Sequence, residues 1–166
     1  MNTRPRTKIP FNWPKQPFNI VLVEPDIPQN TGNIARLCAA TGTVLNLIEP
    51  LGFQLTDKLV KRAGLDYWDS VDVRKFPNLG TFMEKSSKVR KIWFSTNGKK
   101  NYTEANYRPG DCLIFGSESK GLPLDLIEEN KEDVYNIPIQ LDHVRSLNLA
   151  NCASIVLYEA LRQIQD

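Results

Sequence analysis

Three short stretches carry the side chains that could do chemistry. They are Asn30-Thr31-Gly32-Asn33-Ile34-Ala35-Arg36, Phe115-Gly116-Ser117-Glu118-Ser119-Lys120-Gly121-Leu122-Pro123 and Arg145-Ser146-Leu147-Asn148-Leu149. The first two lie where a hydrophobic strand pattern gives way to a helix, and the third is a polar turn running into an apolar helix. The middle stretch has tight-turn glycines, Gly116 and Gly121, that would suit a nucleotide. A dinucleotide fingerprint, however, needs glycine at its third position so that backbone can approach a pyrophosphate, and Glu118 stands there. A phosphate-cradling loop also fails, because Leu122-Pro123 follows the second glycine where Lys and Ser or Thr are required. A nucleoside without phosphates fits better, since its hydroxyls and amines can meet Glu118, and a cationic ligand would gain from the carboxylate. The alternative is a Gly-capped loop in which Glu118 is a helix N-terminal acid.

In the first stretch Asn33 and Arg36 fall on one helical face. Asn30 could serve only as a helix cap. A guanidinium beyond the carboxyl end of a strand suits a phosphate or a developing oxyanion, although an ion pair with Glu24 would account for Arg36 equally well. In the third stretch Ser146 can donate or accept, and Asn148 offers both amide functions, with a helix cap again as the alternative. Asp142, His143 and Ser146 do not make a hydrolase: they crowd into one short segment, and the chain has no G-x-S-x-G elbow. His143 reads as a loop residue.

Short apolar runs alternating with helical periodicity must position these groups. Strands are expected at 19–23, 44–48, 71–75, 91–95, 112–115 and 134–137. Helices are expected at 31–41, capped by Asn30 or Thr31 and stopped by Gly42, and at 55–63, 79–85, 124–130 and 148–164. In the last helix Leu149, Cys152, Ala153, Val156, Ala160, Leu161 and Ile164 recur at spacings of three and four, so one broad face is apolar. The first strand reads as a continuous apolar run rather than an alternating one, as a strand buried on both faces does. The expected class is therefore α/β, a parallel sheet with helices on both faces. In such a sheet, ligands bind beyond the carboxyl ends of the strands.

A chain of 166 residues is the usual size of one domain with one core. A formal charge of +2 does not announce a nucleic-acid binder, so any such contact must be a local patch. Cys38, Cys112 and Cys152 show no C-x-x-C spacing and read as buried thiols, which excludes a disulfide framework and a metal site and points to reducing cytoplasm. No stretch approaches the roughly 18 apolar residues of a membrane span. Residues 1–17 hold Arg4, Arg6, Lys8 and Lys15, no acid, and four prolines. They read as a loose arm preceding a single domain at 18–166, with RNA contact as the alternative.

The combined motifs resemble those of the SPOUT RNA 2′-O-ribose methyltransferases. Glu24-Pro25, Glu49-Pro50-Leu51-Gly52-Phe53, Arg62-Ala63-Gly64-Leu65-Asp66-Tyr67 and Tyr158-Glu159 narrow the resemblance to the minimal tRNA wobble-position enzymes, over residues 18 to 164. The resemblance implies a C-terminal deep trefoil knot, a homodimer with the last helix near its interface, and S-adenosylmethionine as cofactor. It assigns Phe94, Thr96, Gly116, Glu118, Gly121, Ile137, Ser146 and Leu147 to the cofactor. Arg36, Asn30, Ser146 and Asn148 would then act on the ribose of a cytidine or uridine in a tRNA anticodon stem-loop. In the family the arginine matching Arg36 is the proposed general base. A guanidinium is too weak an acid to give up its proton near neutral pH, so we expect it to stabilise the alkoxide or grip a phosphate instead. Lys61, Arg62, Lys99, Lys100, Lys120 and Arg145 are expected to contact RNA. The alternatives are another tRNA or rRNA nucleotide as substrate, or a catalytically silent RNA-binding knot.

Overall fold

The computed structural model describes residues 5–56, 67–140 and 142–166. Its strands are β1 (Asn19–Val23), β2 (Val44–Ile48), β3 (Val73–Phe76), β4 (Lys91–Phe94), β5 (Lys100–Asn101), β6 (Cys112–Phe115) and β7 (Val134–Asn136). The helices are α1 (Pro28–Thr41), α2 (Leu79–Lys85), α3 (Leu124–Glu129) and α4 (Leu149–Gln163). The strands form one sheet in the order β3-β2-β1-β6-β4-β7-β5, and every pairing is parallel.

Alternation along each strand divides the core between two faces. On one face Ile20, Leu22, Leu45, Leu47, Leu113 and Phe115 meet Ile34, Ala35 and Cys38 of α1 and Ala153, Val156, Leu157, Ala160 and Leu161 of α4. On the other, Val21, Val23, Ile48, Trp93, Cys112 and Ile114 pack with Phe82 of α2 and Leu122, and Leu126 and Ile127 of α3 close over them. Two buried faces are why the central strands need continuous apolar runs. The expected α/β class with helices on both faces is what the structure shows.

Several boundaries differ from expectation. Helix α1 begins at Pro28, with Ile27 at its N-cap, so neither Asn30 nor Thr31 is a cap. Proline is suited to the first helical position because its fixed φ matches the helix and its missing N–H would have had no partner there. The expected stop holds: Gly42 is left-handed at φ 69 and its N–H returns to the Cys38 carbonyl. Strand β3 is shifted to Val73–Phe76, and β5 carries no apolar pattern from which it could be read. The helix expected at 55–63 and its Gly64 stop lie largely outside the described residues, and Leu55 and Thr56 are not helical.

The arm differs too. Residues 5–17 form no helix or strand and residues 5–10 are exposed, but the segment around Phe11 and Asn12 is held against the domain rather than loose. The Asn12 N–H donates to Gln165 Oε1 at 3.0 Å, and Gln165 Nε2 donates back to the Asn12 carbonyl at 3.1 Å. Phe11 packs on the core and lies 4.5 Å from the Trp13 ring. One amide side chain thus satisfies both the main-chain N–H and the carbonyl of Asn12, which composition alone does not announce.

Truncation at the interface between α4 and the sheet should be costly. Leu157→Ala removes a fully buried side chain and is expected to lower unfolding free energy by about 3 kcal/mol. Ile9→Ala, at an exposed arm position, should stay within about 0.5 kcal/mol of the parent in urea titrations.

Candidate functional site

Strands β4, β6 and β7 end together, and the loops beyond them enclose a cavity of about 820 Å³. Its floor is aromatic. Phe94 and Phe115 are register partners whose rings stack at 5.0 Å, and Tyr135 flanks Phe94 at 6.4 Å. Phe94, Thr96, Gly116, Glu118, Gly121, Ile137, Ser146 and Leu147 all line it, as do Asn30, Asn148, Lys120 and Arg145. Three junctions distant in sequence therefore meet in one place.

The loop after β6 closes on itself. Gly121 N–H donates to the Ser117 carbonyl at 2.9 Å and Lys120 N–H to Ser117 Oγ at 3.1 Å. A Cβ on Gly116 would lie 2.2 Å from the Gly121 carbonyl carbon, so glycine is obligatory there. Gly121 is left-handed at φ 65.

Glu118 is committed more fully than the sequence suggests. Its carboxylate accepts from the Asp26 N–H at 2.7 Å, the Ile27 N–H at 3.2 Å and Asn30 Nδ2 at 3.2 Å. It thereby supplies the N-terminal acceptor of α1, whose N-cap residue Ile27 has no side-chain oxygen. The reading of Glu118 as a helix acid holds, but the helix is α1, not the one that follows in the chain.

Asn30 is buried in the first turn of α1. Its Oδ1 accepts from Asn148 Nδ2 at 2.9 Å, while Asn148 Oδ1 accepts from the N–H groups of Ala150 at 2.9 Å and Asn151 at 3.3 Å. The polarity of this chain is forced. An ionised carboxylate only accepts, so Asn30 must turn its nitrogen to Glu118 and its oxygen to Asn148. Asn148 must then donate, which leaves its oxygen for the α4 cap. The cap expected for Asn148 and its role in the site are two ends of one amide.

Arg36 stands apart. It is exposed and does not line the cavity, lying about 9 Å along α1 beyond Asn30. Its guanidinium sits 5.9 Å from the Tyr67 ring centroid, and the Tyr67 hydroxyl donates to the Gly32 carbonyl at 3.3 Å. Among the described residues it forms no ion pair with Glu24. Of the expected RNA cations, Lys61 and Arg62 lie outside the described residues. Lys100 is engaged with Glu132 at 3.3 Å and over the Tyr135 ring. His143 is exposed on its loop.

Burial pushes the Cys38 thiol up to about 12 and the Cys112 thiol to about 11. Both therefore stay protonated at neutral pH, as structural thiols do. Cys152 is half-buried and lines the cavity. Ser119, from the second stretch, lines it as well, as do Asn97, Leu124, Tyr135, Asn136 and Ile139, which no motif in the sequence marks. Only the position of Tyr135 and Asn136 at a strand end could have flagged them. Among the described residues no group of three or more His, Cys, Asp or Glu could hold a metal ion, and no helix is long and apolar enough to cross a membrane.

The profile of the SpoU rRNA Methylase family matches residues 17–158. A tRNA (cytidine(34)-2'-O)-methyltransferase from Saccharophagus degradans is 48% identical over 148 residues, spanning 89% of this chain and 96% of the relative. A solved structure described as structural insights into the 2-OH methylation of C/U34 on tRNA superposes with TM-score 0.83 at 44% identity, covering 90% of this chain and 97% of that one. An AdoMet-bound rRNA methyltransferase from Sinorhizobium meliloti superposes with TM-score 0.79 at 25% identity, covering 91% of this chain and 58% of that one.

The forced polarity makes a sharp prediction. Asn30→Ala, which leaves its partners unpaired, should cost about 1–3 kcal/mol in urea unfolding. Asn30→Asp, which places an acceptor against Glu118, should cost more than Asn30→Ala. A better tolerated Asn30→Asp would contradict the assigned donor directions.

Proposed function

The chain belongs to the SpoU methylase family, and from that premise we propose that it methylates the ribose 2′-hydroxyl of the tRNA wobble nucleotide, cytidine or uridine 34, from S-adenosylmethionine. One observation carries this reading. All eight residues that the motifs assign to the cofactor line the same cavity, and the hydrogen-bonded chain Glu118–Asn30–Asn148 runs along its edge. The cavity volume is in the range of cofactor sites. Its stacked aromatic floor suits a purine, and the loop after β6 shows neither of the phosphate-binding glycine patterns.

When bound, S-adenosylmethionine supplies a methyl group already activated on a sulfonium. The chain then has to align the acceptor hydroxyl and manage its proton. Phe94, Thr96, Gly116, Gly121, Ile137 and Leu147 hold the cofactor. Asn148 is exposed at the cavity and keeps a second amide hydrogen to orient the ribose, while buried Asn30 fixes Asn148 from behind. Exposed Ser146 shares that rim. Lys120 and Arg145 line the mouth and meet RNA phosphates.

Arg36 acts electrostatically, on the developing alkoxide or the adjoining phosphate. Its place outside the cavity of one chain accords with a homodimer in which a second copy completes the RNA site. Tyr158, half-exposed on α4, is available to such a partner. The trefoil knot belongs to the same proposal. β7 lies on the far side of β4 from β6, whereas Asn148, later in the chain, is hydrogen-bonded to Asn30 of α1. A tRNA substrate accords with a cytoplasmic protein.

Incubation with labelled S-adenosylmethionine and total tRNA, followed by nucleotide mapping, should place label on the ribose of nucleotide 34. Label at a ribosomal RNA site and none at nucleotide 34 would overturn the substrate. Arg36→Ala should slow single-turnover methylation by about a hundredfold, and an unchanged rate would remove Arg36 from the chemistry.

A further inference from the structure

The loop that closes the cofactor cavity is held from outside by a residue that no motif singles out. Asp26 lies between β1 and α1, next to the site but not lining it. Its backbone is fixed from behind. Gly52 N–H donates to the Pro25 carbonyl at 2.9 Å, and a Cβ on Gly52 would come within 2.8 Å of Asp26 Cα. From the front, the Asp26 N–H is held by Glu118 at 2.7 Å. The contact is reciprocated: the Asp26 carboxylate accepts from the Ser119 N–H at 3.1 Å and from the Ser119 hydroxyl. Two neighbouring loops therefore exchange carboxylates, each binding the other's backbone.

We propose that Asp26 is a positioning residue for the cofactor, latching Ser119 and with it residues 117–121 over the cavity. The inference rests on the cofactor reading given above. Three features separate this latch from a purely structural contact. Ser119 lines the cavity and is exposed, so its bonds cover the site rather than the core. The turn is already closed internally by Ser117 and Gly121, so the latch is not needed to form the loop and instead sets where it lies. Finally, Asp26 is anchored on the segment that carries α1 and Asn30, which ties the cofactor lid to the ribose side of the site.

The acceptor is well suited to this. The Ser119 hydroxyl and then its backbone N–H hold the Asp26 carboxyl below its ordinary range, with Lys120 adding a smaller attraction. The bonds are therefore charge-assisted at neutral pH and stronger than neutral ones.

Steady-state kinetics with S-adenosylmethionine and tRNA varied separately test the latch, alongside calorimetric binding of S-adenosylmethionine without RNA. Asp26→Ala should raise KM and Kd for S-adenosylmethionine about tenfold, the scale of one charged hydrogen bond, while kcat and the KM for tRNA stay within about twofold. Asp26→Asn keeps an acceptor oxygen and should recover most of the loss. Ser119→Ala removes only the hydroxyl and should give a smaller rise of the same kind. The double variant should bind no more weakly than Asp26→Ala, because both substitutions break one contact.

An Asp26→Ala protein with unchanged S-adenosylmethionine affinity, or additive losses in the double variant, would overturn the proposal. Should Asp26→Ala fail to fold, an unchanged KM in Ser119→Ala would overturn it equally. Failure of the cofactor reading itself looks different: the unsubstituted protein would show no calorimetric binding of S-adenosylmethionine.

Discussion

A single carboxylate, that of Glu118, meets the start of helix α1. Ile27 provides no side-chain cap, so the unpaired N–H groups and the positive end of the helix dipole need an acceptor from elsewhere. A local Ser or Asp would have satisfied α1 alone. An acceptor from the loop after β6 instead makes the position of that loop a condition of ending α1 properly. Because an ionised carboxylate can only accept, it also dictates the orientation of Asn30, then of Asn148, and so the cap of α4. The polar side of the site is one directed chain rather than a set of independent groups.

The sheet explains why these ends are near one another. All seven strands are parallel, so every strand-to-helix loop on the C-terminal edge faces the same way. Helices α1 and α4 cover the same face of the sheet, and their N-termini converge beside the ends of β4 and β6. Two positive helix ends brought together would repel; the Glu118 carboxylate and the amide of Asn148 offset this.

Much of this was legible in the residues. The continuous apolar run at β1 announced a doubly covered parallel sheet, and the misfit of Glu118 with any phosphate-binding pattern pointed to a ligand without phosphates. The spacing of Leu149, Cys152, Ala153, Val156, Ala160 and Leu161 located α4 and its buried face. What could not be read are relations between distant residues. Pro28 rather than Asn30 opens α1 because the cap comes from 88 or more positions away, beyond the reach of any local capping rule. Gln165 pins the arm for the same kind of reason. Asp26 sits in a proline-bounded turn with no periodicity to mark it, and β5 is too short to carry a pattern.

The central claim is that three junctions form one site that S-adenosylmethionine occupies. Amide hydrogen exchange with and without S-adenosylmethionine tests it most directly, because protection reports local opening segment by segment. The account predicts added protection together at residues 116–122, at residues 135–149 and in the first turn of α1, with the far edge around β3 and α2 unchanged. Protection confined to one of these segments, or appearing at β3 and α2 instead, would contradict it.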